Sequence, residues 1–389
     1  LTVIPANGEQ RTFGCGEPHA TIEFTSADCL SRLLRNPQLN LGETYMQGGW
    51  SPALDSDLYA VLLVLRLNFE QSLAPGVISW PLRSAASFMR SWNSLTASRR
   101  NVSHHYDLDE ALFRACLDTD LHYSCAYFTG LSEPLEAAQK AKCEHIAWKL
   151  CLRPGQKVLD IGCGWGGLAL YLARNYQVCV TGLTLSVEQL RVAKQRAEEL
   201  GLQDQVDFQL QDYRQFTGRY DRVVSVGMFE HVGRVAYGNF FRVVDRVLGE
   251  GGVALIHTTA NQHPAKVVNP WIRRHIFPGG HIPSLGQVIP AIEATDLVVA
   301  DLECLRTHYA LTLAEWHRRF NNQRDRFVEK SGEEFCRMWE FYLLICQTAF
   351  EIGGLVVHQW QLARPDAQIP ITRQYLYEEK SLQSGINGQ

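Results

Sequence analysis

The residues that most suggest chemistry form a glycine run, Val158-Leu-Asp160-Ile-Gly162-Cys-Gly164-Trp-Gly166-Gly167. Gly162, Gly164 and Gly167 satisfy G-x-G-x-x-G, a spacing that lets backbone approach a pyrophosphate at a helix start. A dinucleotide site also needs an acidic residue about twenty positions further on to hold the ribose. The chain has Thr181-Gly-Leu-Thr184-Leu-Ser186 there, with no acid. S-adenosylmethionine suits the run better, because it carries no pyrophosphate and ends in a cationic amino acid. Bare glycines admit its methionyl part, and Asp160 can face its ammonium group directly or through water. Asp160 can equally hold the loop, and a tight turn without any ligand is the bland alternative.

A doubly wound parallel sheet must position that loop. Apolar strands at Val158–Ile161, Val178–Gly182, Val206–Leu210, Arg222–Val226 and Val253–His257 alternate with helices near Gly167–Asn175, Val187–Leu200 and Tyr237–Leu248. Such alternation predicts an α/β fold whose ligands lie at the carboxyl ends of the strands. A helix is predicted over Glu136–Leu150, ended by Arg153-Pro154-Gly155. Residues 1–98 mix short strand-like pieces with helices such as Leu58–Leu73 and read as a smaller α+β domain, with a polar linker at Ser98–Tyr106 and a second domain over 99–389.

Composition narrows the class. The 389 residues carry 37 basic and 41 acidic side chains, a net charge of −4, which excludes a surface built wholly to trap nucleic acid. Eleven scattered cysteines without a C-x-x-C pair fit neither a disulfide framework nor a zinc site, and predict mostly buried thiols. The first residues show no basic segment leading into an apolar run, so a cytoplasmic location is expected. No apolar stretch reaches the roughly twenty uncharged residues that span a bilayer.

Six ordered runs carry a more specific likeness: LHYSCAYF, VLDIGCGWGGLALYLA, TGLTLSVEQ, QDYR, SVGMFEHVG and HPAKVVNPWIRRHIFPGGHIPS. Between about Leu121 and Gln361 the chain resembles the cyclopropane-fatty-acyl-phospholipid synthase family, which includes the mycolic acid cyclopropane synthases. The resemblance implies a Rossmann-like class I methyltransferase domain that transfers the methyl of S-adenosylmethionine to an acyl double bond and then removes a proton to close a ring. It implies cofactor contacts from Tyr123, Ser124, Gly162, Gly164, Thr184, Gln189, Asp212 and Tyr213, beside Asp160. Ser186 to Gln189 also fits a capping box, so Gln189 serves the ribose or its own helix. Tyr213 is equally an edge-of-core aromatic.

The resemblance further implies a catalytic cage for a bicarbonate ion, formed by Cys125, Glu230, His257, Tyr309 and the amide of Thr259. An alkene is a poor nucleophile, and its attack on a sulfonium methyl develops a cation that a nucleophilic side chain would trap. A bound bicarbonate can take the proton instead, and a carboxylate beside it raises its basicity. Singly, Glu230 reads as a helix-start acid, His257 as a satisfied sheet-edge histidine and Cys125 as a buried apolar group. The family's usual His-Thr-Ile-Gly stands here as His257-Thr258-Thr259-Ala260. Thr at 259 adds a hydroxyl, and Ala at 260 gives up the access to positive φ that Gly has. Methyl or methylene branching without ring closure is therefore an alternative outcome.

The expected partner is unsaturated phospholipid, met at the inner membrane surface by a peripheral enzyme, with a homodimer as a family expectation and no nucleic acid. Arg99-Arg100, Arg273-Arg274 and Arg318-Arg319 are candidate headgroup contacts, each pair otherwise ordinary solvated surface. Trp271, Ile272, Ile276 and Phe277 line an acyl entrance or pack in the core. Two competing readings are a small-amine N-methyltransferase on the same fold and a non-catalytic lipid-binding relative.

Overall fold

The computed structural model describes residues 1–72, 110–264 and 268–377. The expected linker, its Arg99-Arg100 pair and the boundary at residue 98 lie outside these residues. The first stretch contains β1 (Thr2–Ile4), β2 (Arg11–Thr12), β3 (Thr21–Phe24), α1 (Ala27–Arg35), α2 (Pro37–Met46), β4 (Trp50–Pro52) and α3 (Leu58–Ser72). Its strands form a sheet in the order β2-β1-β3-β4. Ser26 starts α1 by accepting from the Cys29 amide at 3.3 Å, and Pro37 opens α2, where a missing N–H is no loss.

Next come α4 (Glu110–Cys116), α5 (Leu135–Lys149), β5 (Lys157–Ile161), α6 (Gly167–Tyr176), β6 (Cys179–Thr184), α7 (Val187–Glu199), β7 (Val206–Leu210), β8 (Tyr220–Val226), α8 (Tyr237–Val247) and β9 (Leu248–Asn261). The chain continues through α9 (Pro270–His275), α10 (Leu285–Glu293), β10 (Val298–Cys304), α11 (His308–Asn321), α12 (Arg324–Ser331), α13 (Glu333–Glu351) and β11 (Leu355–Ala363). The large sheet has the order β10-β11-β9-β8-β5-β6-β7. Strands β9, β8, β5, β6 and β7 are parallel, and antiparallel β11 and β10 extend the sheet beyond β9. Because β5 lies between β6 and β8, the strand order reverses there and a crevice opens above its carboxyl end.

The sheet is apolar on both faces, as a doubly wound fold requires. Val158, Val224 and Leu255 pack with α5, α6 and α7, while Leu159, Val223 and Ile256 pack with α8 and α10. The sequence reading lacked β10 and β11. Polar His358, Gln359 and Gln361 are all buried within β11 and interrupt the apolar pattern that marks a central strand.

A third core gathers Ile22, Trp50 and Val61 with Trp271, Trp316, Trp339 and Phe341, so the first 72 residues share an apolar cluster with α9, α11 and α13. Close approach matters at Gly42, where a Cβ would lie 2.4 Å from the Trp271 ring nitrogen. Tyr45 and Tyr59 donate across the same boundary to Glu340 and Glu351, at 3.0 and 2.9 Å. Among the described residues no helix is long and apolar enough to cross a membrane. Six of the eleven cysteines are buried, Cys151 and Cys346 are half-buried, and Cys15, Cys179 and Cys304 are exposed.

Candidate functional site

A cavity of about 1300 Å³, counting its open mouth, lies at the carboxyl ends of β5 and β6 and of the loops after β7 and β8. Tyr123, Ser124, Asp160, Gly162, Gly164, Thr184, Gln189, Asp212 and Tyr213 all line it. Gly162 sits at φ +88°, and a Cβ there would be 2.8 Å from that of Met228, so only glycine keeps the loop close to its neighbour. Asp160 is the penultimate residue of β5, with its carboxyl buried and its Oδ2 without a hydrogen-bond partner. Burial pushes this carboxyl up to about 7, with the charge of His122 acting the other way.

Several lining groups are already engaged. Thr184 Oγ1 donates to Gln189 Oε1 at 3.0 Å, and the Ser186 hydroxyl accepts from the Gln189 amide at 3.2 Å. Only half of the expected capping box forms, because the Ser186 amide turns to Thr184 Oγ1 and leaves the Gln189 side chain in the cavity wall. Both Asp212 oxygens accept from Arg214, at 2.9 and 2.7 Å, so this acid is more tightly held than a free adenine contact would be. Tyr213 meets Phe240 edge to face at 5.4 Å while remaining in the wall.

Sequence reasoning missed His122 and Lys142, which also line this cavity. Lys142 is buried and donates to Ser124 Oγ at 2.9 Å and to Gln139 Oε1 at 2.6 Å; burial lowers its pKa. His122 is paired with Asp118 at 2.7 Å. Gln139, Lys142, His145 and Lys149 form a buried polar stripe at helical spacing on α5, and that stripe was the available signal.

A second cavity of about 870 Å³, again counting its mouth, shares Tyr123, Ser124, Gly227 and His231 with the first. Cys125, Glu230, His257, Thr259 and Tyr309 all line it, among Ile272, Phe277, Leu313, Phe350 and Leu355. Glu230 Oε1 accepts from the Thr259 amide at 2.6 Å, and its Oε2 is shut from solvent without a partner. Burial raises the Glu230 pKa. The Thr259 amide, expected to serve an anion directly, thus orients the carboxylate, since a buried oxygen takes the nearest donor. His257 is buried and pushed down to about 3 by desolvation, so its ring is neutral. Burial also raises the Cys125 thiol and the Tyr309 phenol, keeping both protonated, and the thiol donates to the Ala126 carbonyl at 3.3 Å.

Three expectations change. Ala260 lies within β9 opposite Val356 and is not among the positive-φ residues, so Ala there meets no strain. Trp271 and Ile276 are core residues, whereas Ile272 and Phe277 line the chamber. In the two described arginine pairs, Arg274 donates to Glu43, Arg318 to Glu315, and Arg319 to Glu136 and Glu315, so three of these four side chains are neutralised.

The model of the family described as mycolic acid cyclopropane synthetase matches residues 93–360. The cyclopropane-fatty-acyl-phospholipid synthase of Escherichia coli K12 is 40% identical over 348 residues, covering 89% of this chain and 88% of that protein. The tuberculostearic acid methyltransferase UfaA1 of Mycobacterium tuberculosis is 37% identical over 368 residues, covering 90% and 85%. Among solved structures, cyclopropane synthase MmaA2 from Mycobacterium tuberculosis superposes with a TM-score of 0.66 at 33% identity, over 70% of this chain and all of that one. Coclaurine N-methyltransferase, at 20% identity and a TM-score of 0.67, shares the fold. With its glycine loop, its orphaned Asp160 and a matched region exceeding half its length, the chain belongs to the mycolic acid cyclopropane synthetase family of S-adenosylmethionine-dependent methyltransferases.

Proposed function

We propose that this methyltransferase adds a methylene to the double bond of unsaturated phospholipid acyl chains, forming a cyclopropane fatty acid. The observation that carries the reading is an apolar chamber lined by Glu230, Cys125, His257 and Tyr309, adjoining the cofactor crevice at Tyr123 and Ser124. The crevice fits S-adenosylmethionine, since an unpartnered buried carboxylate awaits a cation beside a loop free of side chains. The donor set of Cys125, His257 and Tyr309 fits a small oxyanion such as bicarbonate. Bound there, the two groups would supply an electrophilic methyl and a proton acceptor that leaves no adduct.

The chain's own residues do the rest. Asp160 and the glycine loop hold the methionyl end, and Tyr123 and Ser124 fix the border between crevice and chamber. Ile272, Phe277 and Phe350 take the acyl chain and keep water from the developing cation. Cys125, His257 and Tyr309 hold the anion with their protons, and Glu230 raises its basicity. Residues 1–98 help present the lipid, and contact with the bilayer is transient.

A second reading is methyl or methylene branching on the same double bond. It draws on the Thr259 amide being taken up by Glu230, which leaves one donor fewer for the anion, and on the relative named as a tuberculostearic acid methyltransferase. Labelled S-adenosylmethionine and vesicles of monounsaturated phospholipid separate the readings. A gain of CH₂ with loss of double-bond reactivity in the released fatty acids supports the ring. The same gain with the double bond retained supports branching. No label in lipid, with label on a small amine, overturns both.

A further inference from the structure

We propose that Gln359 is a positioning residue for this reaction: its side-chain amide holds His257 as the neutral imidazole that carries its proton on Nε2 and donates it into the chamber. The proposal deepens the reading above and rests on its use of His257 as an anion donor. Gln359 lies on β11 directly opposite His257 on β9, and its Nε2 is 3.1 Å from His257 Nδ1. An amide nitrogen only donates, so Nδ1 must accept, and a neutral ring then carries its proton on Nε2. With Nδ1 engaged against the sheet, the ring's other nitrogen is the one left for the chamber that His257 lines.

The surroundings explain why an amide stands here. Across the sheet the row reads His257, Gln359, Glu303, on three adjacent strands. Glu303 is held by Lys149 at 2.5 Å and by His145 at 2.6 Å, both from α5. The charged and titratable groups facing His257 are therefore Lys142, Lys149 and His145 from α5, Glu303 from β10, and Glu230, Cys125 and Tyr309 around the chamber. A carboxylate at 359 would draw a second proton onto the ring and remove the choice of tautomer. Packing alone would favour an apolar residue, because Gln359 is fully buried and its Oε1 has no partner. An unsatisfied acceptor retained in a strand interior marks a residue kept for its other end.

The test starts from the wild-type protein labelled with ¹⁵N-histidine, with the His257 signals identified by their loss in His257→Gln. Long-range spectra should show the Nε2–H tautomer for His257 near neutral pH; an Nδ1–H ring overturns the proposal. Gln359→Met should release the tautomer and lower kcat roughly 10–100-fold while leaving the KM for S-adenosylmethionine unchanged. Gln359→Glu should show both ring nitrogens protonated at neutral pH, with the acid limb of the rate profile moved upward. A Gln359→Met protein with wild-type tautomer and pH profile assigns Gln359 a packing role only and overturns the proposal. Should a variant fail to fold, the wild-type spectrum still decides. Absence of methyl transfer to lipid by the wild type would instead sink the functional reading, and the tautomer result would stand apart from it.

Discussion

The two cavities that meet at Tyr123 and Ser124 are built on opposite plans. The crevice is made from short contiguous segments at strand ends, and most of its polar groups are paired in advance: Thr184 with Gln189, Asp212 with Arg214, Ser124 with Lys142. The chamber takes its polar groups from distant segments, at 125, 230, 257 and 309, and leaves Glu230 Oε2 without a partner. Pairing in advance suits binding, because the protein loses little freedom when the ligand arrives. An open acceptor such as Glu230 Oε2 in an apolar site suits chemistry, because its pairing energy is released on the reacting groups.

Glu230→Gln tests that contrast most severely. Removing the carboxylate should lower kcat by roughly 10²–10⁴-fold, the range of a general-base contribution, with S-adenosylmethionine affinity nearly unchanged. Calorimetry beside single-turnover rates reads both; equal losses would place Glu230 in cofactor binding and erase the division between the cavities.

Asp160→Asn is the converse and the next largest effect. Loss of a charge-assisted contact should weaken cofactor binding roughly 10–100-fold, with a smaller change in the rate of bound complex. The pH dependence has a defined sign. Asp160, raised from 3.8 to about 7, binds a proton in the native state that the unfolded chain has lost at neutral pH. Its contribution to native stability is therefore present below about pH 4 and lost as pH rises through about 7. Cofactor affinity runs the other way and strengthens over the same interval, as the carboxylate form meets the ammonium group. Asn at 160 should flatten both trends, measured by thermal unfolding and by titration calorimetry from pH 5 to 8.

A smaller change sharpens the comparison from the far side of the chamber. Gly42→Ala places a methyl against the Trp271 ring, and Trp271 precedes the chamber residue Ile272. Overpacking of this kind destabilises by about 1–3 kcal/mol. The melting temperature and the KM for lipid should shift, while cofactor affinity should not.

The same division governs how far the sequence could be read. The crevice lay open because glycines, a strand-end acid and helix caps carry local signals: Asp160, Gly162 and Ser186 each declare a turn or a terminus. The chamber's residues were reachable only through the family's motifs, since nothing local tells Cys125 or Tyr309 from a core side chain. Lys142 in the crevice wall and Gln359 behind the chamber were missed for one physical reason. Lys142 and Gln359 are polar residues buried inside regular elements, where periodicity predicts either an apolar face or an exposed one. The strand β11 vanished with them, because its buried glutamines and histidine broke the run that would have announced it.

Thr259→Ile is the smallest change and the finest test of the cage. The resemblance implies Ile at this position, and Thr259 acts on Glu230 through its backbone amide at 2.6 Å and, more weakly, through its hydroxyl. Replacing its side chain leaves that donor in place on β9, and Ala260 beside it already sits unstrained in the ladder opposite Val356. Turnover on monounsaturated phospholipid should therefore stay within about threefold of wild type, with the same ring-to-branch product ratio. A shift of that ratio toward ring would mean that the Thr259 hydroxyl competes with the anion for its donors. The chamber's selectivity would then lie in the side chain at 259 as well as in the carboxylate that the backbone there holds.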